Sequence, residues 1–480
     1  MGVLSGLKPE KVMRYFEEIS MIPRGSGNEK GISDYLKSFA EARGLEVVQD
    51  EVLNIIIRKN GSPGYEDSPA VILQGHMDMV NEKNKDTVHD FMNDPLKLRI
   101  VDDYIYASGT TLGADNGIAI AYALAVLDSD DISHPPLEVL VTVEEETGLL
   151  GAAKVDGSHF HGKTLINLDS EEEGVFLVSC AGGARQIVSL PVVHEAAEGS
   201  AFRIQVKGLK GGHSGMEIHK ERGNSNKILG RILHHLCKKY DLRITEISGG
   251  SKMNAIPRES EALVVVRGDA DGFEKEVQIV AGVALAEIKT QDPELKVTAE
   301  SASLPSETFT KETTGKAEEL LLLLPDGVLN YSQDIPGLVE TSLNLGVLQT
   351  DEKSVKFEFA VRSSVETRKK LTLEKVRTLA ASYGAVAEVS SSYPGWNYDR
   401  DSKIRQRFID TYKRLYGKNA EVTAIHAGVE CGLLSEKIDG LDMISLGPDM
   451  FDVHTPEEHI SISSIARTYD LLLEVLRDLR

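Results

Sequence analysis

The 480-residue sequence has few cysteines, no long apolar run and a deficit of positive charge. Its three cysteines, Cys180, Cys237 and Cys431, lie far apart and form no Cys-x-x-Cys pair, so the sequence gives no sign of a disulfide framework or a thiolate zinc site. No apolar stretch approaches the roughly 20 residues that a membrane helix requires, and the N-terminus lacks a basic segment followed by an apolar one. We therefore expect reduced cysteines and a cytoplasmic protein.

The charge and the missing motifs exclude further classes of function. A formal net charge of -22 argues against binding to a nucleic-acid backbone, which depends on clustered Lys and Arg. Because His-Glu-x-x-His is absent, the single-zinc helical protease mechanism is excluded. The glycine-rich segments Gly25–Gly27 and Lys210–Gly215 match neither the dinucleotide fingerprint nor the spacing of a phosphate-binding loop.

The length of the chain predicts more than one domain, since a single hydrophobic core stops growing at roughly 250 to 300 residues. Residues 1–185 and 397–480 alternate helical and strand patterns, which predicts one discontinuous α/β domain whose two ends fold together. Residues 186–396 run twice through blocks of strands and helices. This texture predicts an inserted α+β lid domain, and two related halves are one interpretation of it.

Short runs rich in Val, Ile and Leu predict the strands of the first domain, and apolar residues at helical spacing predict its helices. The predicted strands are 52–58, 70–74, 137–143 and 164–167, and the predicted helices are 9–19 and 28–43. In open α/β sheets, ligands bind beyond the carboxyl ends of the strands. Side chains that follow these strands are therefore the first candidates for a functional site.

Residues that can bind metal ions occur at the ends of predicted strands. Four segments carry them where an apolar strand gives way to a loop or helix, namely Gln74–Asp78, Gly113–Asn116, Glu144–Glu146 and Asn167–Ser170. With a histidine near the C-terminus they supply five candidate ligands, His76, Asp115, Glu146, Asp169 and His454. Two zinc ions need about six ligand contacts from protein, and these five residues reach that number if Asp115 bridges the two ions.

Two other acidic residues suit supporting roles. Glu145, next to the candidate ligand Glu146, is the natural general base for water, and Asp78 can accept a hydrogen bond from the second ring nitrogen of His76. Taken singly, an Asp or Glu at a strand end is more often a helix cap, a turn residue or a solvated charge. The conjunction of the segments favours a metal site.

This pattern resembles the co-catalytic zinc peptidases that include aminoacylase, carboxypeptidase G and the dipeptidases. The resemblance covers nearly the whole chain and rests on Gln74–Val80, Thr87–Phe91, Gly109–Gly117, Leu168–Gly174, Lys210–Gly215, Asn254–Arg258, Tyr393–Trp396 and His426–Gly432. It implies an α/β catalytic domain, with a mixed sheet flanked by helices, and an inserted α+β lid.

The resemblance also implies a site. His76, Asp115 and Asp169 would hold one zinc ion, while Asp115, Glu146 and His454 would hold the other, with Mn²⁺ or Co²⁺ as possible substitutes. Glu145 becomes the general base. A cis peptide bond is implied between Asp115 and Asn116.

For the substrate, the resemblance implies roles for residues of the lid. His213 would stabilise the oxyanion, although Lys210–Gly215 alone could be a plain glycine-rich turn. Asn254 and Arg362 would bind the carboxylate end of the substrate, and a guanidinium is suited to grip a carboxylate with two parallel hydrogen bonds. A solvated Arg at a strand end is the alternative for Arg362. Glu430 is a candidate for attracting the free amine of the substrate.

The segment before the last metal histidine keeps the Gly-Pro and His-x-Pro-x-Glu features of the family, but its interior does not match residue by residue. We choose His454 over His459 as the ligand because Thr455-Pro456-Glu457 follows it. The first Glu of Glu144–Glu146 is extra to the usual pair, so the Thr-Gly that follows fixes which residue is the base and which the ligand.

The function implied by the resemblance is hydrolysis of short unblocked dipeptides, Xaa-His or carnosine-type substrates among them, by a homodimer that pairs through its lid. Two alternatives remain at this point. The same site could hydrolyse an N-acyl amino acid, since activated water attacks any such carbonyl. A metal-binding scaffold without catalysis is the other alternative, against which the intact Glu145 and His213 speak.

Overall fold

The computed structural model describes residues 2–480 and divides the chain into two compact units. The first unit contains the chain up to Ser179 together with Trp396–Ala424 and Val429–Arg480, and the second contains Cys180–Gly395 and Ile425–Gly428. The second unit is thus inserted into the first, and its N-terminal boundary lies six residues before the predicted one at 185/186. The strand that begins at Gly182 already belongs to the sheet of the second unit.

Eleven α-helices lie within residues 2–480. They are α1 (Glu10–Ser20), α2 (Lys30–Glu41), α3 (Ala114–Leu127), α4 (Leu150–Lys154), α5 (Ser225–Lys239), α6 (Phe273–Ile288), α7 (Lys311–Leu323), α8 (Glu366–Ser382), α9 (Lys403–Tyr416), α10 (Glu430–Lys437) and α11 (Ile462–Asp478).

The strands of the same residues begin with those of the first unit, β1 (Glu46–Gln49), β2 (Ile55–Lys59), β3 (Val71–His76), β4 (Leu98–Val101), β5 (Tyr104–Ala107), β6 (Leu137–Thr142), β7 (Thr164–Asn167) and β8 (Val175–Cys180). The inserted unit follows with β9 (Gly182–Pro191), β10 (His194–Ala196), β11 (Ser200–Lys207), β12 (Gly212–His213), β13 (Asp241–Gly249), β14 (Ala255–Ile256), β15 (Ser260–Arg267), β16 (Lys296–Ala302), β17 (Glu307–Phe309), β18 (Gly327–Tyr331), β19 (Val339–Thr350), β20 (Ser354–Ser363) and β21 (Val386–Tyr393). The last four are β22 (Glu421–Ile425), β23 (Asp442–Ser445), β24 (Met450–Phe451) and β25 (His459–Ser461).

The first unit is built on an eight-stranded mixed sheet in the order β1-β2-β6-β3-β7-β23-β8-β22. Strands β6, β3, β7 and β23 are mutually parallel, while β1 pairs antiparallel with β2, β2 with β6 and β8 with β23. A four-stranded antiparallel sheet, β24-β25-β5-β4, accompanies it. These features confirm the predicted fold class, an α/β domain with a mixed sheet.

Helix α3 forms the centre of the first unit. It is apolar on all sides, and apart from Asp115 its residues are buried. A helix of this kind belongs in a protein interior, and α3 packs against α1 and β3. Helices α1, α2, α9 and α11 instead each bury one apolar face. Because Asp115 lies in the first turn of α3, the packing of this helix in the core fixes the position of that carboxylate.

The second unit contains a nine-stranded sheet in the order β16-β11-β15-β13-β19-β20-β9-β21, with β18 added beside β19. Two halves meet where β13 pairs with β19. One half runs β11-α5-β13-β15-α6-β16 along the chain, and the other runs β9-α7-β19-β20-α8-β21, with the first half inserted after β9. In both halves the fourth strand pairs with the first, the first with the third and the third with the second.

The strands and helices predicted for the first domain agree with the observed bounds to within three residues. Strand β9, helix α7 and the small sheet around β25 were not predicted. Across residues 2–480, helices long and apolar enough to span a membrane are absent.

Candidate dinuclear metal centre

Three parallel strands deliver side chains to one edge of the mixed sheet. Strand β3 lies between β6 and β7 and runs parallel to both. His76 is the last residue of β3, Glu145 follows the end of β6, and Asp169 follows the end of β7. Since parallel strands present their carboxyl ends at the same edge, these side chains converge there.

Asp115 lies between two histidines. Its Oδ1 is 3.1 Å from Nε2 of His76, and its Oδ2 is 3.2 Å from Nε2 of His454. Each carboxylate oxygen therefore faces a different histidine, as a carboxylate that bridges two metal ions must. The peptide bond between Asp115 and Asn116 is cis, which confirms that prediction.

Two sets of three candidate ligands share Asp115. His76 and Asp169 complete one set, and Glu146 and His454 complete the other; within each set the ligand atoms lie within 4.8 Å of one another. Nε2 of His76 is 3.4 Å from Oδ1 of Asp169, and Nε2 of His454 is 3.1 Å from Oε1 of Glu146. Imidazole nitrogens and carboxylate oxygens at this spacing fit two divalent cations, zinc among them.

The side chain of Asn116 ties two of the ligand segments together. Its Oδ1 accepts a hydrogen bond from the N–H of His76 at 3.1 Å, and its Nδ2 donates to the backbone oxygen of Leu168 at 2.8 Å. A Cβ atom at Gly75 would overlap the Asn116 side chain. Glycine at position 75 is therefore what allows Asn116 to reach β3.

Asp78 is fully buried, and it connects His76 to the turn formed by Glu144–Glu146. Nδ1 of His76 lies 3.1 Å from the backbone oxygen of Asp78 and 3.3 Å from its Oδ1. The two carboxylate oxygens accept the N–H groups of Glu145 and Glu146 at 3.0 and 3.3 Å, and Ser26 adds a hydroxyl donor at 2.8 Å. Asp78 thus orients one candidate ligand and positions the backbone of another.

The neighbouring carboxylates raise the pKa values of both histidines. Burial lowers the pKa of His76, but Asp169 and Asp115 outweigh it and raise that pKa well above its ordinary value. Hydrogen bonds to Asp115 and Glu146 raise the pKa of His454 to about 11. Burial also raises the pKa of Asp169 to about 6, against the opposing effect of His76. Metal binding requires these ligands to lose their protons.

Glu145 stands beside both ligand sets. A carboxylate oxygen of Glu145 lies within 4.8 Å of a ring nitrogen of His76 and of a carboxylate oxygen of Glu146. Burial raises the pKa of Glu145 to about 9; His76 opposes this shift, and Asp169 and Glu430 add to it. Its place beside both ligand sets puts Glu145 within reach of a water held there, as the predicted general base requires.

Glu430, the first residue of α10, is fully buried at the same edge of the sheet. Its Oε2 accepts hydrogen bonds from Nε2 of Gln74 at 2.5 Å and from the Thr142 hydroxyl at 2.8 Å. Among the described residues its Oε1 has no hydrogen-bond partner, and burial raises its pKa to about 8, against the effect of His76. The expectation that Glu430 attracts the substrate amine stays a prediction.

In the second unit, a hydrogen bond from the backbone fixes the tautomer of His213. Nδ1 accepts the N–H of Met216 at 3.2 Å, so the proton of the neutral ring resides on Nε2. Burial, and then Arg362, lowers the pKa of His213, which favours this neutral form. Buried Asp292 accepts the N–H groups of Lys210 and Gly223 at 2.7 Å each and so ties both ends of the loop that carries His213.

The other predicted substrate residues lie close to His213. Strand β12 pairs with β14, which places His213 opposite Ala255, and the N–H of Ser214 donates to the backbone oxygen of Asn254 at 2.8 Å. Asn254 and Arg362 line one cavity of about 100 Å³. The second unit therefore brings together His213, Asn254 and Arg362. The first and last of these are 149 residues apart in sequence.

Comparisons with known proteins identify the family. The profile described as "Peptidase family M20/M25/M40" matches residues 72–478. The chain is 38% identical to the cytosol non-specific dipeptidase of Escherichia coli over all of this chain and 99% of that protein. The chain belongs to peptidase family M20/M25/M40.

Solved structures agree with this assignment. The aminoacylhistidine dipeptidase from Vibrio alginolyticus superposes with a TM-score of 0.95 at 36% identity, over 99% of this chain and 98% of that one. Aminopeptidase PepT from Bacillus cereus shares the fold alone, with a TM-score of 0.56 at 16% identity over 98% and 99% of the two chains. The predicted family is confirmed, and this M20-family protein is a hydrolase and a metallopeptidase.

Sequence reasoning missed two buried charged residues at the centre, Arg24 and Glu458. The His-x-Pro-x-Glu spacing pointed to Glu458 without indicating what it does, and no pattern pointed to Arg24. The alternative ligand His459 is stacked between Tyr106 and Phe451, with ring centroids 4.6 and 5.1 Å away, and its Nδ1 lies 2.8 Å from the backbone oxygen of Glu457.

Proposed function

We propose that this M20-family protein hydrolyses the peptide bond of short unblocked dipeptides at a dinuclear metal centre. The observation that carries the proposal is the position of Asp115, whose two oxygens face His76 and His454 and so join two three-ligand sets. The names of the relatives from Escherichia coli and Vibrio alginolyticus, both dipeptidases, support the substrate class.

Five residues would hold two divalent cations, with Zn²⁺ favoured by the His and carboxylate donors. The chemistry that such cations supply is a lowered pKa of the attacking water and polarisation of the scissile carbonyl group. Glu145 accepts the proton of this water as its oxygen attacks the carbonyl carbon. The same carboxyl then donates the proton to the leaving amine, so that one water and one dipeptide become two amino acids.

The proposal assigns His213 to the carbonyl oxygen. Its neutral ring carries the proton on Nε2 and can donate a hydrogen bond to an oxygen that gains negative charge. Arg362 and Asn254 are assigned to the substrate carboxylate, because a cavity lined by an arginine and an amide suits a carboxylate. Nε of Arg362 is buried and has no partner among the described residues, which leaves a donor for this ligand.

Finer points of the proposal concern specificity and assembly. One relative is named for non-specific cleavage and the other for aminoacyl-histidine substrates, so Xaa-His dipeptides of the carnosine type belong in the substrate panel. The name of the Escherichia coli relative supports a cytosolic location. A homodimer paired through the inserted unit stays a prediction, which sizing chromatography at several concentrations tests.

The substrate class is tested by comparing an unblocked dipeptide with its N-acetylated form, using purified protein supplied with Zn²⁺, Mn²⁺ or Co²⁺. We expect release of free amino acids from the unblocked dipeptide and little from the acetylated one. A preference for the acetylated substrate would overturn the choice in favour of an N-acyl-amino-acid amidohydrolase. Absence of hydrolysis with any substrate would favour the scaffold alternative.

The role of Glu145 is tested by Glu145→Gln, with Glu144→Gln as the matched control one residue earlier. Removing a general base costs about 10²- to 10⁴-fold in rate, so we expect a fall of this size in kcat for Glu145→Gln and near-normal turnover for Glu144→Gln. Metal content, measured by plasma mass spectrometry, should stay the same in both variants. Retained activity in Glu145→Gln would exclude it as the base.

The substrate-carboxylate site is tested by Gly215→Ala. A Cβ atom there would lie 2.8 Å from the backbone oxygen of His426, 3.0 Å from Cε1 of His213 and 3.2 Å from Cζ of Arg362, so these groups must move. Weakening one charge-assisted hydrogen bond lowers kcat/KM by about 10-fold or more, and we expect this loss for a dipeptide with a free carboxylate.

The same variant should lose less activity towards the C-terminal amide of that dipeptide, whose binding to Arg362 is already weak. Gly282→Ala in α6 is the control, because a Cβ atom at Gly282 would have no described atom within 4 Å. Equal losses for the free acid and the amide in Gly215→Ala would contradict the assignment of Arg362.

A further inference from the structure

We propose that Glu458 is a positioning residue for the metal centre, whose buried carboxylate holds the Leu112–Asp115 loop so that Asp115 lies between its two histidines. The inference rests on the proposed dinuclear centre and adds a residue that contacts neither the candidate metal positions nor the substrate. It also gives a physical role to the Glu of the His-x-Pro-x-Glu segment.

Four consecutive backbone N–H groups converge on this carboxylate. Oε2 accepts those of Leu112 and Gly113 at 2.8 and 3.0 Å, and Oε1 accepts those of Ala114 and Asp115 at 2.8 and 3.3 Å. Glu458 is only 2% exposed. These amides surround the start of α3, where the positive end of the helix dipole also favours a carboxylate.

Glu458 connects two segments that supply ligands to the same candidate metal ion. It lies four residues after His454, and its own N–H donates to the backbone oxygen of Thr455 at 3.1 Å. On its other side, β25 begins at His459, which is stacked between aromatic rings and paired with β5 and β24. The backbone next to Glu458 is therefore held in a sheet, while its carboxylate reaches the segment that carries Asp115.

Arg24 binds the same backbone segment as Glu458. It binds backbone oxygens, whereas Glu458 binds N–H groups. Its guanidinium donates to the backbone oxygens of Met77 and Asp78, at 3.1 and 3.3 Å, and to that of Gly113. A Cβ atom at Gly113 or Gly117 would lie 2.6 Å from Nη2 of Arg24, so both glycines leave room for it. Arg24 thus connects the segment after His76 to the Leu112–Asp115 segment. Glu458 connects the Leu112–Asp115 segment to the segment that carries His454.

A carboxylate that serves only the stability of the fold would also be buried and hydrogen-bonded. The positioning role differs because it predicts a defect in metal binding in protein that is still folded. Residues that orient metal ligands typically change metal affinity by about 10- to 100-fold when mutated.

The test is Glu458→Gln, with the exposed neighbour Glu457→Gln as the matched control. An amide can accept hydrogen bonds at one oxygen only, so two of the four N–H groups lose their acceptor. We expect calorimetric titration of the metal-stripped protein with Zn²⁺ to show two sites in wild type and Glu457→Gln, and one of them weakened at least 10-fold in Glu458→Gln. Two sites of wild-type affinity in Glu458→Gln would overturn the proposal.

Hydrogen exchange on the metal-free protein separates this inference from the proposed function. We expect the amides of Leu112–Asp115 to lose protection in Glu458→Gln and to keep it in Glu457→Gln, whether or not the protein binds metal. Unchanged protection would overturn the role of Glu458, whereas failure of the wild type to bind metal would overturn the dinuclear centre instead. If Glu458→Gln does not fold, Glu458→Asp, which keeps the charge and shortens its reach, is judged by the same two measurements, with smaller changes expected.

Discussion

The site of this peptidase depends on one electrostatic constraint, the concentration of buried carboxylates at a single edge of a sheet. Asp78, Asp115, Glu145, Glu146 and Asp169 meet there, and within residues 2–480 two histidines, His76 and His454, lie among them. Burying a carboxylate without compensation is costly, so each must find a cation, a proton or a set of hydrogen-bond donors. In the proposed centre, two divalent cations that share Asp115 would compensate the whole group.

Two carboxylates that are not candidate ligands, Asp78 and Glu458, are compensated by the backbone and neighbouring side chains. Asp78 accepts two N–H groups of the Glu144–Glu146 turn, and Glu458 accepts four at the start of α3. Arg24, whose pKa burial lowers to about 10, supplies the buried positive charge beside them. The contacts of Asp78, Glu458 and Arg24 also hold the segments around His76, Asp115 and His454. One set of hydrogen bonds therefore both compensates the buried charges and positions the candidate ligands.

Much of the fold and of the candidate site can be predicted from the sequence. Apolar runs that end in acidic or histidine residues predicted β3, β6 and β7 together with the segments that follow them, because burial in a parallel sheet leaves a strong local signal. A change in texture predicted an inserted domain over residues 186–396. Helix α3 was predicted only at its start, since a helix that is apolar on every side has no periodicity to detect.

The remainder lacks a local signal for physical reasons. Arg24 binds backbone oxygens, which every residue possesses, and Glu458 binds N–H groups more than 340 residues away in sequence. Strand β9 belongs to a half of the inserted sheet whose other elements follow more than 100 residues later, so its partners are not evident from its neighbours. Likewise, the convergence of His213 and Arg362 around Gly215 depends on tertiary packing alone.

The central claim is that hydrolysis requires two metal ions held by the ligand sets that share Asp115. The most direct measurement strips the protein of metal with a chelator and follows dipeptide hydrolysis while Zn²⁺ is added back in known ratio to protein. The account predicts no activity in the stripped protein and recovery that reaches its plateau at two ions per chain. Full activity without metal, or a plateau at one ion per chain with the second site empty, would contradict it.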